Sequence, residues 1–110
     1  MEETVMVYLA GKITGDPNYR EKFSAAAAEL NKAGYAVINP ALLPDGLDYA
    51  AYIRISSAML DECDSVCFLP DWIESRGATH EYDRARLCDK HRFEYDGWLK
   101  TRKGDISENG

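Results

Sequence analysis

Residues 4–10 read TVMVYLA, an almost continuous run of apolar and β-branched residues that ends at Gly11. A strand with one face in water alternates apolar and polar residues, whereas a strand buried on both faces does not. The run therefore predicts a strand inside a parallel sheet. Residues 65–69, closed by Pro70, predict another strand further along the chain.

Helical patterns separate the predicted strands. Asp16 and Pro17 form a helix-start signal. Apolar residues then recur at helical spacing up to Gly34: Phe23, Ala26, Ala27, Leu30 and Ala33. We expect further helices at about 48–62 and 77–90, further strands at 35–38 and 92–95, and loops at 42–47 and 72–76.

This alternation predicts an α/β fold, a single-domain open parallel sheet of the flavodoxin or Rossmann type, with four or five strands and flanking helices. We expect the domain to cover residues 1–98 and a polar, mobile tail to cover residues 99–110. The length of 110 residues leaves no room for a second core.

Composition restricts the functional class. Thirteen basic against 19 acidic residues give a net charge of −6, which argues against binding to a nucleic-acid polymer. No apolar run approaches the roughly 18 residues of a membrane span, and the N-terminus lacks a signal-peptide pattern, so we expect a cytoplasmic protein without a membrane partner. The cysteines and histidines lack metal-ligand spacing, and we expect no metal and no cofactor.

Ligands of open parallel sheets bind beyond the carboxyl ends of the strands, which points to residues 8–15, 39–45 and 70–81. In the last of these segments, Ser75 and Gly77 fall at a predicted helix start, where free N–H groups favour an anion, and Glu81 follows about one turn later. Two interpretations stay open. The segment is a phosphate cradle beside a reacting carboxylate, or Ser75 is a helix cap and Glu81 a favourably placed acid.

The loop after the first strand, YLAGKITG at 8–15, offers the Tyr8 phenol, two glycines that allow a ligand close to the backbone, and Lys12 as a phosphate contact or a solvated lysine. It is neither a dinucleotide fingerprint nor a P-loop. Trp72 is predicted to be a lid or wall residue that can stack on a base. His80, beside Glu81, suggests an acid–base role, but helical neighbours point to different faces, which favours a surface position.

Four segments in order, YLAGKITG (8–15), INPA (38–41), DECDSVCFLPDW (61–72) and SRGATHE (75–81), resemble the nucleoside 2-deoxyribosyltransferase superfamily. Within it they resemble a small phage and bacterial subgroup of the DUF4406 type, related to deoxynucleoside 5′-monophosphate N-glycosidases.

The resemblance implies an N-glycosidase or deoxyribosyltransferase in which Glu81 attacks the anomeric carbon, with net retention, and Tyr8 orients Glu81. It implies that Ser75 holds a 5′-phosphate, and that the protein is a homodimer or larger homo-oligomer. The residues expected to bind substrate are Gly11, Lys12, Asn39, Asp71, Trp72, Ser75, Gly77 and Ala78.

One segment departs from the family pattern. Relatives carry an aspartate on the second helix, whereas this chain has Arg54, Ile55, Ser56 and Ser57, and its nearest acids, Asp48, Asp61 and Asp64, do not match that position. A departing base lacks an obvious proton donor here. The departure favours an alternative, a non-catalytic protein that binds a nucleotide or nucleotide-derived signal, and a structural or interaction module is a third possibility.

Overall fold

Four parallel strands form one open sheet in the computed structural model, which describes residues 4–102. The strands are β1 (Met6–Ala10), β2 (Ala36–Ile38), β3 (Ser65–Phe68) and β4 (His91–Glu94), in the order β2-β1-β3-β4. The helices are α1 (Tyr19–Lys32), α2 (Tyr49–Asp61), α3 (Arg76–Leu87) and α4 (Tyr95–Arg102). The predicted α/β class and single open parallel sheet are thereby confirmed.

The strand β1 lies inside the sheet and pairs with β2 on one side and β3 on the other. Residues 7–10 are completely buried, as the unbroken apolar run predicts. Alternate side chains enter two separate cores. Val7 and Leu9 pack with Phe23 and Leu30 of α1, whereas Tyr8 points to the opposite face of the sheet.

The second core joins Tyr8 and Ala10 of β1 to Leu60 of α2 and to Ala78 and Ala85 of α3. Consequently α2 and α3 lie against the face of the sheet toward which Tyr8 points. From β1 the chain first adds β2 on one side and then, after α2, adds β3 on the other side of β1. The direction in which strands are added therefore reverses between β1 and β3. Such a reversal opens a crevice at the carboxyl ends of the strands.

Two element boundaries differ from the sequence prediction. The helix α1 starts at Tyr19 because Asp16 closes a turn instead of capping the helix: its carboxylate accepts a hydrogen bond from the Asn18 N–H at 2.9 Å and pairs with Lys22 Nζ at 2.5 Å. The predicted loop at 72–76 contains a short 3₁₀ helix, Trp72–Glu74.

The helix α4 was not predicted, and the expected boundary at residue 98 falls inside it. Residues 99–102 of the predicted tail are helical, and residues 103–110 lie outside the described part of the chain. No helix within residues 4–102 has the length and apolar character needed to cross a membrane.

Candidate active site

A buried tyrosine–glutamate pair lies between β1 and α3. The hydroxyl of Tyr8 donates a hydrogen bond to Glu81 Oε2 at 2.5 Å, across 73 positions of sequence. The pair forms because β1 neighbours β3 in the sheet, and α3 follows β3 and packs against the face to which Tyr8 points. Tyr8 is completely buried and Glu81 is 2% exposed.

Burial controls the ionisation of this pair. It raises the pKa of Glu81 to about 7, although hydrogen bonds from the hydroxyls of Tyr8 and Ser56 favour the ionised carboxylate. Burial and the neighbouring Glu81 together hold the pKa of Tyr8 well above its ordinary value. Glu81 can therefore exchange a proton near neutral pH, while Tyr8 remains a hydrogen-bond donor.

The helix α2 adds two hydroxyl groups to the pair. Ser56 is completely buried, and its hydroxyl donates to the Ile53 carbonyl oxygen at 3.4 Å. It lies close enough to Tyr8 and Glu81 to lower the pKa of each. One helical turn earlier, the phenol of Tyr52 lies near Tyr8 and Glu81, which both act on its pKa, and burial raises the pKa of Tyr52 strongly. We refer to these four residues, Tyr8, Tyr52, Ser56 and Glu81, as the hydroxyl–carboxylate cluster.

Neither Tyr52 nor Ser56 was predicted as a site residue. Ser56 drew attention in the sequence only as part of the stretch 54–57 that lacks the family's aspartate. Their spacing of four residues, which places both on one face of a helix, is the signal that could have found them. On the side facing Glu81, α2 thus presents hydroxyl groups where relatives are expected to carry an acid.

A cavity of about 540 Å³ opens beyond the carboxyl ends of the strands. Its wall comprises residues 11–14 after β1, residues 40 and 43–47 after β2, residues 74–78 at the start of α3, and Tyr19, Tyr49 and Tyr52. Five predicted substrate-binding residues lie in this wall: Gly11, Lys12, Ser75, Gly77 and Ala78. Within the hydroxyl–carboxylate cluster, Tyr52 is the member that reaches the wall.

Two glycines of the wall have different structural roles. A Cβ atom at Gly11 would lie 2.9 Å from Leu69 Cδ1 and 3.2 Å from Phe23 Cζ, so the core packing requires glycine there whether or not a ligand binds. A Cβ atom at Gly77 would lie 3.8 Å from Tyr52 Cε2, an ordinary contact. The absence of a side chain at Gly77 therefore widens the cavity without being demanded by the fold.

The start of α3 supplies the positive side of the cavity. Ser75 caps the helix, because its hydroxyl oxygen accepts a hydrogen bond from the Ala78 N–H at 3.0 Å. The guanidinium of Arg76 lies 4.1 Å from the ring centre of Tyr49 and forms no ion pair among residues 4–102. By contrast, Lys12 lies 3.5 Å from Glu74. Arg76 was not predicted as a site residue.

Three predicted substrate-binding residues lie outside the cavity wall. The side chain of Asn39 accepts a hydrogen bond from the Ala41 N–H at 2.9 Å and caps the 3₁₀ helix Pro40–Leu42. The carboxylate of Asp71 accepts a hydrogen bond from the Lys12 N–H at 3.0 Å and pairs with Lys22. Both residues fix the backbone of wall segments instead of facing the cavity.

Trp72 corrects the expectation of a base-stacking wall. Its ring stacks on Tyr82 with centroids 4.8 Å apart and an interplanar angle of 15°, and it packs against Phe68 at 5.0 Å. These contacts place Trp72 beside the core of the α3 face and outside the cavity wall. His80 is exposed on α3 and is not part of the wall.

Within residues 4–102, no group of three or more histidine, cysteine, aspartate or glutamate side chains is arranged to hold a metal ion. Burial raises the pKa of the Cys63 thiol to about 11 and that of Cys67 to about 12, so both thiols stay protonated near neutral pH.

Residues 5–92 match the model of a domain of unknown function, DUF4406. The matched region runs from the start of β1 into β4 and contains the whole cavity wall and the whole hydroxyl–carboxylate cluster. No curated protein matches the sequence.

Proposed function

The chain belongs to the DUF4406 family, and we propose that it is an N-glycosidase or 2-deoxyribosyltransferase that acts on a nucleoside 5′-monophosphate or nucleoside through Glu81. The observation that carries this proposal is the 2.5 Å hydrogen bond from Tyr8 to Glu81, buried directly behind the cavity wall. A carboxylate held by a tyrosine is suited to attack an electrophilic carbon. The resemblance of the ordered motifs to the 2-deoxyribosyltransferase superfamily supports the same reading.

The reaction requires two displacements at the anomeric carbon. Tyr8 holds Glu81 Oε2, which orients the other carboxylate oxygen for attack on C1′. As the Glu81–C1′ ester bond forms, the C1′–N bond breaks and its electron pair leaves with the base, which takes a proton from water. Water, or a second base in a transferase, then attacks C1′, gives up a proton to the hydroxide left by the first step, and releases Glu81 as the carboxylate. Two inversions give retention.

The cavity favours a phosphorylated substrate. Its volume of about 540 Å³ lies within the usual range of small-molecule sites. Arg76 brings to the wall a guanidinium that has no ion pair among residues 4–102, and the capped start of α3 adds backbone N–H groups and the positive end of a helix dipole. Tyr19 and Tyr49 offer aromatic surface for a base.

Two observations favour a second candidate, a non-catalytic nucleotide-binding protein. The side of α2 that faces Glu81 carries Ser56 and Tyr52 rather than a carboxylic acid that could protonate a leaving base. In addition, Glu81 is only 2% exposed. A binder with this site would hold the nucleotide against Arg76 without product formation.

The proposed setting is the cytoplasm of a bacterial or phage-infected cell, where free nucleotides occur. We propose a homodimer or larger assembly that uses α2, because Tyr49 and Ile55 leave 41% and 39% of their surface exposed on that helix. Sedimentation of the purified chain tests the assembly.

The test of function is release of free base. The purified protein is incubated with a panel of ribo- and deoxyribonucleosides and their 5′-monophosphates, and the products are separated by chromatography. We expect base release that Glu81→Gln abolishes, while Asp83→Asn, which removes the charge of an exposed acid on the same helix, retains it. A thermal shift with one nucleotide but no released base would favour the binder.

A further inference from the structure

Tyr52 connects the cavity to the hydroxyl–carboxylate cluster. It belongs to both, whereas Glu81, Tyr8 and Ser56 do not line the cavity wall. Any ligand in the cavity therefore meets Tyr52 before it meets Glu81.

The contacts of Tyr52 fix its orientation. Ring atom Cε2 lies 3.8 Å from the position that a Cβ atom of Gly77 would occupy, so the ring lies along the start of α3. Tyr8 and Glu81 both lie near enough to the phenol of Tyr52 to shift its pKa, and Glu81 raises it. The side chain thus extends from the cavity wall to the cluster.

The Glu81 carboxylate is surrounded by hydroxyl groups and shielded from water. Tyr8 from β1 and Ser56 and Tyr52 from α2 are the polar groups that face it, and among residues 4–102 no lysine, arginine or histidine contributes to its pKa. Water is excluded from it almost completely. The cavity lies directly beside the ring of Tyr52.

We infer that Tyr52 is a positioning residue that covers Glu81: its ring separates the carboxylate from the cavity, and a ligand reaches Glu81 only by displacing the ring. The use of the uncovered carboxylate for glycosyl transfer rests on the proposed function. The covering role of Tyr52 does not rest on the proposed function, because it follows from the placement of Tyr52 between the cavity and the cluster.

The test measures how well water reaches Glu81 without any substrate. Carboxyl carbons of ¹³C-labelled glutamate are titrated by NMR, and the Glu81 signal is assigned by its loss in Glu81→Gln. Tyr52→Ala should lower the pKa of Glu81 from about 7 by at least about one pH unit, because water would then reach the carboxylate. Tyr52→Phe, which retains the ring, should leave the pKa near its wild-type value.

Ile53→Ala is the matched control, because Ile53 also lies against Gly77, at 4.0 Å from the same Cβ position, but is not part of the cavity wall. It should leave the pKa of Glu81 unchanged. Circular dichroism verifies that each variant is folded, and Tyr52→Leu, which keeps an apolar contact with Gly77, replaces Tyr52→Ala if the latter unfolds.

An unchanged pKa in Tyr52→Ala, or in Tyr52→Leu if that variant replaces it, would overturn the inference, as would an equal fall in Ile53→Ala. The proposed function fails separately, in the base-release assay. If the Glu81 pKa falls but no nucleotide releases its base, Tyr52 covers Glu81 and the protein is not a glycosidase. If base is released but the pKa is unchanged, the protein is a glycosidase and Tyr52 does not cover Glu81.

Discussion

The burial of Glu81 predicts a pH dependence of stability that one substitution removes. Its pKa is about 7 in the folded chain, against an ordinary value of 4.5. Below pH 4.5 the carboxyl group is protonated in both the folded and the unfolded states, and its contribution to stability is fully present. As the pH rises toward 7 the unfolded chain ionises first, so this contribution is lost progressively and stays lost above pH 7.

The size of the effect follows from the two pKa values. Each pH unit between them corresponds to about 1.4 kcal/mol, so the complete effect is about 3 kcal/mol, and roughly 2 to 3 kcal/mol falls between about pH 5 and about pH 8. Glu81→Gln keeps an acceptor for the Tyr8 hydroxyl but cannot ionise. Relative to wild type, its free energy of unfolding should therefore increase by that amount between the two pH values.

Urea unfolding of both proteins at both pH values measures this difference. Every other titratable group is present in both proteins, so its effect cancels when the two free energies of unfolding are subtracted. Asp83→Asn, on the exposed side of α3, should show no comparable change. If the stability difference between wild type and Glu81→Gln is the same at both pH values, or falls with pH, the burial argument is refuted.

Three further results are expected. Gly11→Ala should lower the free energy of unfolding by about 1 to 3 kcal/mol in urea titrations, because the added methyl group overpacks the core. An unchanged urea midpoint would contradict this and show that the neighbouring side chains move to make room. Ser75→Ala should cost about 1 kcal/mol through loss of the α3 cap, and full stability would contradict that role. A thiol reagent should label Cys88, which is exposed, and reach Cys63 and Cys67 only after unfolding; rapid labelling of all three in the folded chain would contradict their burial.

The sheet could be predicted because its strands carry a local signal. The unbroken apolar run at 4–10 requires burial on both faces, and that alone places β1 inside a parallel sheet. The helix α4 gave no such signal, since Gly97 interrupts it and none of its residues is buried. The start of α1 was misplaced because the Asp16–Pro17 cap signal competes with the pairing of Asp16 with Lys22, which only the folded chain reveals.

The candidate site was predictable where it depends on strand ends. The segments after β1, β2 and β3 do form the cavity wall, because parallel strands end at one edge of the sheet. Tyr52 and Ser56 escaped prediction because the rotation of α2 about its axis is set by packing against the sheet and α3. Trp72 was misread because its partners Phe68 and Tyr82 lie on different elements, and a stacking surface cannot be told from an internal contact in sequence alone.

The central claim is that Glu81 becomes bonded to the sugar. The most direct measurement is mass spectrometry of protein incubated with a 2-fluoro-2-deoxy nucleoside 5′-monophosphate, in which fluorine slows release of a glycosyl-enzyme. We expect a mass increase equal to the fluorinated sugar phosphate, located on the peptide that contains Glu81 and absent in Glu81→Gln. Released base together with an unmodified Glu81 would contradict it.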